Sequence, residues 1–182
     1  DMSRLEAGGL EAQPRELPIA EVLDPLASEF GAIAAAHGLR FRYVPSSAWV
    51  RTDPQLLRRV LQNFLANAVR YTPSGSVLLG VRAGRESLRI EVLDTGPGIA
   101  VEHQRHIFEE FRRGDDAPGQ GLGLGLAIAD RIAELLQAPI GLRSRPGRGT
   151  AFTLRVERVG SRPRVVAPLP VQRHGLSGTR VL

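Results

Sequence analysis

Residues 63–72 read NFLANAVRYT, and they close a segment, Gln55 to Tyr71, whose apolar residues recur at helical spacing. At ~100° per residue, Val60, Leu61, Phe64, Leu65 and Ala68 form one stripe, and Asn63, Asn67 and Arg70 lie along one flank of it within ~60°. Two amides and a guanidinium therefore face the same space. Taken alone, this is equally the pattern of a helix edge carrying polar residues.

Working outward, Asp53-Pro54 supplies the cap and first position of this helix. Before it, Trp49 to Arg51 and the alternating residues 39–44 (LRFRYV) read as strands. Residues 19–36 place Ile19, Val22, Leu23, Leu26, Phe30 and Ile33 on one helical face ending near Gly38, with Pro25 expected to delay or kink it. After the helix, Val77 to Arg82 and Leu88 to Val92 alternate around a turn at Gly84, a hairpin pattern that ends on Asp94. Residues 96–123 are polar and Gly-rich apart from Ile107, Phe108 and Phe111, so a mobile loop with a hydrophobic clip is expected. A third helix carries Leu124, Ala127, Ile128, Ile132, Leu135 and Leu136. Strands at about 139–144 and 150–157 follow it, joined by a Pro-Gly turn.

Composition removes several chemistries. All 24 basic residues are Arg, which excludes a Walker-type phosphate loop, the protein-kinase strand lysine and Schiff-base mechanisms. The lack of cysteine excludes thiol nucleophiles, disulfides and cysteine metal sites. The net charge of +5 suggests a polyanion until it is located. Residues 161–182 hold Arg162, Arg164, Arg173 and Arg180 and no acid, whereas the first 160 residues set 20 Arg against 19 acids. A balanced body with a basic tail does not predict nucleic-acid binding. With 182 residues one domain is expected, and no apolar run is long enough to span a membrane.

Two glycine-rich stretches adjoin the helices. Asp94-Thr95-Gly96-Pro97-Gly98 (DTGPG) puts a carboxylate at a strand end, followed by backbone that a flat ligand can approach closely; it is also an Asp-capped turn. Gly119 to Gly125 (GQGLGLG) runs straight into the third helix, where free amides and the positive helix end suit a phosphate chain; it also reads as a linker or cap. The element before it is a loop and not a strand, which argues against a dinucleotide site.

In this order the pieces resemble the ATP-binding domain shared by sensor histidine kinases, type II topoisomerases, ninety-kilodalton heat-shock chaperones and mismatch-repair ATPases, and most of all the histidine kinases. Over about residues 14–157, Asn63 to Thr72 matches the asparagine box, Asp94 to Ile99 the first glycine box, Ile107 to Arg113 (IFEEFRR) the phenylalanine box, Gly121 to Ile128 the second glycine box, and Gly149-Thr150 the closing pair. The resemblance implies the Bergerat fold, an α/β two-layer sandwich with a mixed sheet of about five strands, three helices on one face and an ATP lid.

It also implies roles. ATP and Mg²⁺ are the cofactors, with Asn67 supplying an oxygen to the metal and Asn63 assisting. Asp94 accepts from the adenine amine, Tyr71 lies beside the base, and Arg70 and Arg113 reach the phosphates. Gly96, Gly98, Gly121, Gly123 and Gly125 allow close approach and movement of the lid, and Ile99, Phe108, Leu122, Leu124 and Thr150 complete the nucleotide-binding set. Leu122 stands where many relatives have a hydroxyl residue. Hydrolytic relatives carry a Glu at the position of Asn63; an amide is no base at neutral pH, so the gamma phosphate is kept for another acceptor. Asn63, Asn67 and Arg113 are the catalytic candidates.

None of His37, His103, His106 and His174 has the context of a phosphoacceptor. The start at Asp1 predicts a piece of a longer protein, and the resemblance implies a homodimeric parent in which residues 1–13 are the end of a dimerising helix that bears the acceptor, 14–160 the catalytic domain and 161–182 a linker. The segment LSGTRVL (176–182) suggests a following receiver domain and a hybrid kinase. The expected partners are that dimerisation domain and a receiver or response regulator, with no nucleic acid. The expected location is cytoplasmic, under a parent that is membrane-anchored or free.

Overall fold

A computed structural model describes residues 9–113 and 122–160, with backbone alone for 108–113 and 122–124. Of the expected helix end at residues 1–13, residues 1–8 lie outside the described residues and 9–13 are extended chain without helix; Gly121 and the linker at 161–182 also lie outside the described residues. The strands are β1 (Arg15–Pro18), β2 (Arg40–Tyr43), β3 (Trp49–Thr52), β4 (Ser76–Ala83), β5 (Ser87–Asp94), β6 (Ile140–Arg145) and β7 (Gly149–Val159). The helices are α1 (Ala20–Ala36), α2 (Pro54–Tyr71), α3 (Val101–Arg113) and α4 (Leu122–Leu136).

Among the described residues the sheet has seven strands in the order β1-β3-β7-β5-β4-β2, with β6 joined to β7. It is mixed, since β2 runs parallel to β4 and every other pair is antiparallel. The α/β sandwich is as expected, but five strands and three helices are too few. β1 was unread because it holds four residues, ends in Pro18 and buries only Leu17. The stretch expected to be a loop contains α3, whose mostly charged sequence gives little apolar periodicity.

The long strand β7 organises the sheet. One edge pairs with β5 from Thr150 to Glu157, while the other is shared, with β6 along Gly149–Leu154 and β3 along Glu157–Val159. Alternation on β5 sends Leu88, Ile90 and Val92 inward to helices α1, α2 and α4, where Leu57, Leu61, Phe64 and Leu65 of α2 are fully covered. Phe64 stacks on Phe152 of β7 at 5.0 Å between ring centres, locking α2 to the sheet. Truncating such a buried ring costs about 3–5 kcal/mol.

The start of α2 is sealed as its sequence predicts. Asp53 Oδ1 accepts from the amides of Gln55 (3.1 Å) and Leu56 (3.2 Å), and Oδ2 accepts from Gln13 (2.9 Å), so the cap also fastens the incoming chain. Pro25 neither delays nor ends α1, which runs from Ala20 through it to Ala36 with Pro25 on the exposed side.

Candidate functional site

The inner end of β5 and the flank of α2 meet as the sequence suggests. Asp94 closes β5 beneath the last turns of α2, and its Oδ1 accepts from the Gly96 amide at 2.9 Å. The Thr150 amide, from the residue directly opposite on β7, is a second donor. Burial holds the Asp94 carboxyl above the ordinary carboxylate range, and these two neutral donors offset that only in part. Among the described residues no arginine forms an ion pair with it.

Gly96 is buried, and a Cβ there would lie 3.0 Å from Asp94 Oδ1, 3.0 Å from the Tyr71 carbonyl and 3.1 Å from Thr72 Oγ1. The DTGPG turn is thus pressed against the C-terminal end of α2. Three polar atoms in this zone are buried without a hydrogen-bond partner: Asn67 Nδ2, Tyr71 OH and Thr72 Oγ1. Each such group costs about 1–3 kcal/mol. All three belong to the last turns of α2 and its C-terminal cap. Thr72, only 3% exposed, carried no separate signal in the sequence because it ends a motif whose other residues explain its presence.

The lid side approaches the same helix. A Cβ on Gly125 of α4 would sit 3.5 Å from Asn63 Oδ1, so the glycine brings the start of α4 over the amide flank of α2. Leu122, Gly123 and Leu124 form the first turn of α4. Phe108 and Arg113 lie on α3, with side chains outside the described set, as is Gly121 altogether. Arg70 is exposed and stands 5.6 Å over the Tyr71 ring, a cation–π contact.

The glycine turn is fastened to the β6–β7 hairpin. Gly98 has φ +74 and its Cβ would lie 2.2 Å from the Arg145 carbonyl oxygen, so glycine is required there. The Gly147 amide donates to the Pro97 carbonyl (2.7 Å), and the Ile99 amide donates to Ser144 Oγ (2.7 Å). Gln104 of α3 donates through Nε2 to the carbonyls of Ile99 (2.7 Å) and Ser144 (3.1 Å). Neither Gln104 nor Ser144 was found from sequence. Only the β6–β7 register, which sets Ser144 opposite Thr150, reveals them.

The family model for histidine kinase-, DNA gyrase B- and HSP90-like ATPases matches residues 52–159, from the end of β3 to the end of β7. The chain belongs to this ATPase family. Its relatives in the family are sensor histidine kinases: RcsC of Salmonella typhimurium is 33% identical over 189 residues, covering 98% of this chain and 19% of its own. AruS of Pseudomonas aeruginosa is 45% identical over 115 residues, covering 59% of this chain and 12% of its own. The chain therefore spans less than a fifth of the length of these relatives. Among solved structures, full-length ShkA in complex with AMPPNP aligns with a TM-score of 0.74 and 31% identity, over 88% of this chain and 35% of that one. The Acinetobacter baumannii histidine kinase AdeS shares the fold at a TM-score of 0.68 and 22% identity, over 87% of this chain and 74% of its own. No helix among the described residues is long and apolar enough to cross a membrane.

Proposed function

We propose that this histidine-kinase-type ATPase domain binds Mg-ATP between α2, the DTGPG turn and the start of α4, and presents the gamma phosphate to a histidine on the parent's dimerisation domain. The observation that carries this reading is the desolvated, arginine-free Asp94 carboxylate beside the unpartnered Asn67, Tyr71 and Thr72 atoms. A carboxylate with no cation beside it presents free lone pairs to a neutral donor, and the adenine amine is one.

The residues fit the metal as well. Among the described residues no cluster of three His, Asp or Glu side chains is built to cage a cation. Amide oxygens of Asn67 and Asn63, together with phosphate oxygens and water, are the ligand type that Mg²⁺ takes. When bound, the ion supplies charge neutralisation on the phosphates. Asn63 cannot take a proton from water at neutral pH, so it holds the phosphate region without promoting hydrolysis. Arg70 and Arg113 supply positive charge, and the backbone at Gly123 and Gly125 allows the helix start to approach the phosphate chain. The acceptor imidazole is the nucleophile and comes from outside this domain, so positioning accounts for most of the catalysis. The partners in this reading are the dimerisation domain of a homodimeric parent and a receiver or response regulator downstream.

Calorimetric titration with ATP, with and without Mg²⁺, tests the binding half; metal-dependent binding is expected, and Asn67→Ala should abolish the metal dependence while melting normally. For the transfer half, radiolabelled ATP should leave this chain unlabelled by itself. Adding the parent's dimerisation hairpin as a separate chain should give slow, acid-labile label on the hairpin, since the linkage that raises effective concentration is missing. Acid-stable label on this chain, or rapid phosphate release without the hairpin, would move the assignment to a hydrolytic ATPase.

A further inference from the structure

The registers that turn Leu88, Ile90 and Val92 toward the helices turn the alternate residues of each strand to the outer face of the sheet. That face carries eight arginines, two each on β2 and β6 and one each on β3, β4, β5 and β7, against three acids, Glu16, Glu91 and Glu157. The remaining described residues hold eleven arginines and twelve acids. The body is near neutral by count but strongly positive on one side. At the centre, Arg82 of β4 stands directly opposite Arg89 of β5, which stands directly opposite Arg155 of β7. Like charges opposite one another across strands destabilise a sheet. Glu91 meets the first two at 3.2 and 3.0 Å, while Arg155 is exposed and has no ion pair among the described residues. Exposed apolar residues flank this field on the same face. Trp49 of β3 is 41% exposed, and Val44, just past β2, is 40% exposed where it approaches the outward side of Gly80.

We propose that the outer sheet face is a docking surface for an anionic lipid bilayer. A row of guanidiniums about 4.8 Å apart, with a single acid to answer it, matches a surface of phosphates and carboxylates, and an exposed indole beside it suits the level of the lipid headgroups. The distribution of side chains disfavours the other anionic partners. Protein interfaces place apolar residues at the centre and charge at the rim. Here the exposed apolar residues lie toward the margins, and the outward Leu78 and Leu93 between them are half-buried. A sheet that takes single-stranded nucleic acid offers aromatic rings at its centre for base stacking, and this one offers arginines there. A second copy would meet the face with the same charge, and so would residues 161–182, which hold four arginines and no acid. The helices α2 and α4 lie on the opposite face, so a bilayer on the outer face leaves the nucleotide site uncovered.

The test is vesicle binding by the whole chain, in which Trp49 is the only tryptophan, so that its emission reports on the face itself. Phosphatidylcholine vesicles containing about one quarter phosphatidylserine should cosediment with the chain and shift Trp49 emission to the blue. Phosphatidylcholine alone should do neither, and added salt should reverse the effect. Arg42→Glu combined with Arg155→Glu should weaken binding roughly tenfold or more. Neither arginine has an ion pair among the described residues, and Arg155→Glu sets an acid opposite Arg89, so this variant should melt no lower than the unmodified chain. Arg105→Glu combined with Arg131→Glu makes the same change in net charge at exposed positions of α3 and α4 and should bind vesicles as the unmodified chain does. Failure to bind the anionic vesicles overturns the proposal. Binding that survives the Arg42 and Arg155 reversals, or that leaves Trp49 emission unmoved, assigns the lipid to another part of the chain and also overturns it. Retention of duplex DNA, but not of vesicles, at physiological salt would give the face to nucleic acid instead. None of these outcomes depends on the nucleotide reading, which stands or falls by ATP titration.

Discussion

Glu91 and Asp94 stand three residues apart on β5, on opposite faces of the sheet, the first buried and the second partly buried. Glu91, with its side chain 6% exposed, is met by Arg82 Nε at 3.2 Å and by Arg89 Nε at 3.0 Å, the second close enough to neutralise but not aligned as a hydrogen bond. Asp94 receives only backbone N–H groups. An acid paired with two guanidiniums has its charge cancelled within the fold. An acid left with neutral donors keeps charge and lone pairs for something else, at a cost in stability that the fold retains.

The largest effect should come from breaking one side of this comparison through the backbone. Gly149 has φ +124, and a Cβ there would lie 2.0 Å from the Asp94 carbonyl oxygen, so Gly149→Ala must displace the end of β5. A loss of about 3 kcal/mol or more is expected, read as a lower denaturant midpoint, with nucleotide binding lost and the Glu91 end of the strand still protected from hydrogen exchange.

Next in size, Asp94→Asn turns an acceptor into a partial donor and should weaken ATP by about ten- to a hundredfold, equivalent to ~1.5–3 kcal/mol, with no loss of melting temperature. Equal binding of ATP by the variant and its parent would contradict the role given to Asp94.

Glu91→Gln should do the reverse. Removing the charge from a pair whose Arg82 is largely solvated should cost about 1 kcal/mol in unfolding experiments and leave ATP affinity unchanged. A change in affinity would mean that the two faces communicate.

The smallest effect is on pH dependence. Burial raises the folded-state pKa of Asp94, so between the unfolded and folded values the native state binds more protons. The contribution of this group to stability is therefore unfavourable at neutral pH and improves as pH falls through the folded pKa. Relative to its parent, Asp94→Asn should be slightly more stable near pH 7, and the gap should close on acidification. ATP affinity of the parent should also begin to fall at a higher pH than an ordinary carboxylate would dictate. A gap independent of pH would show that Asp94 does not titrate abnormally.

Much of the site was legible because its parts have strong local signatures. Asp53-Pro54 announces the start of α2, the Asn63–Asn67–Arg70 flank follows from helical periodicity, and alternation on β4 and β5 delivers Asp94 to a strand end. What escaped depends on pairing over distance. Ser144 and Gln104 are a lone serine and a lone glutamine until β6 is set in register with β7 and α3 is laid against β6. The helix α3 itself was hidden by composition, having few apolar residues among its charges, and β1 by being shorter than any alternation can reveal. Pro25 misled in the opposite sense, since a proline on an exposed helical face early in α1 leaves the helix intact.

The shared edge of β7 has a consequence for the order in which a ribosome delivers the parts. Until residues 149–159 emerge, β3 can pair only with β1, β5 only with β4, and β6 with nothing, so the sheet exists as disconnected pieces. Half of the strand pairings then form late, and those of β7 with β3 and β5 join segments distant along the chain, the slow class of folding event. Thr150 arrives opposite Asp94 in that same closing step. A nascent chain short of β7 therefore leaves Asp94 without its cross-strand neighbour Thr150.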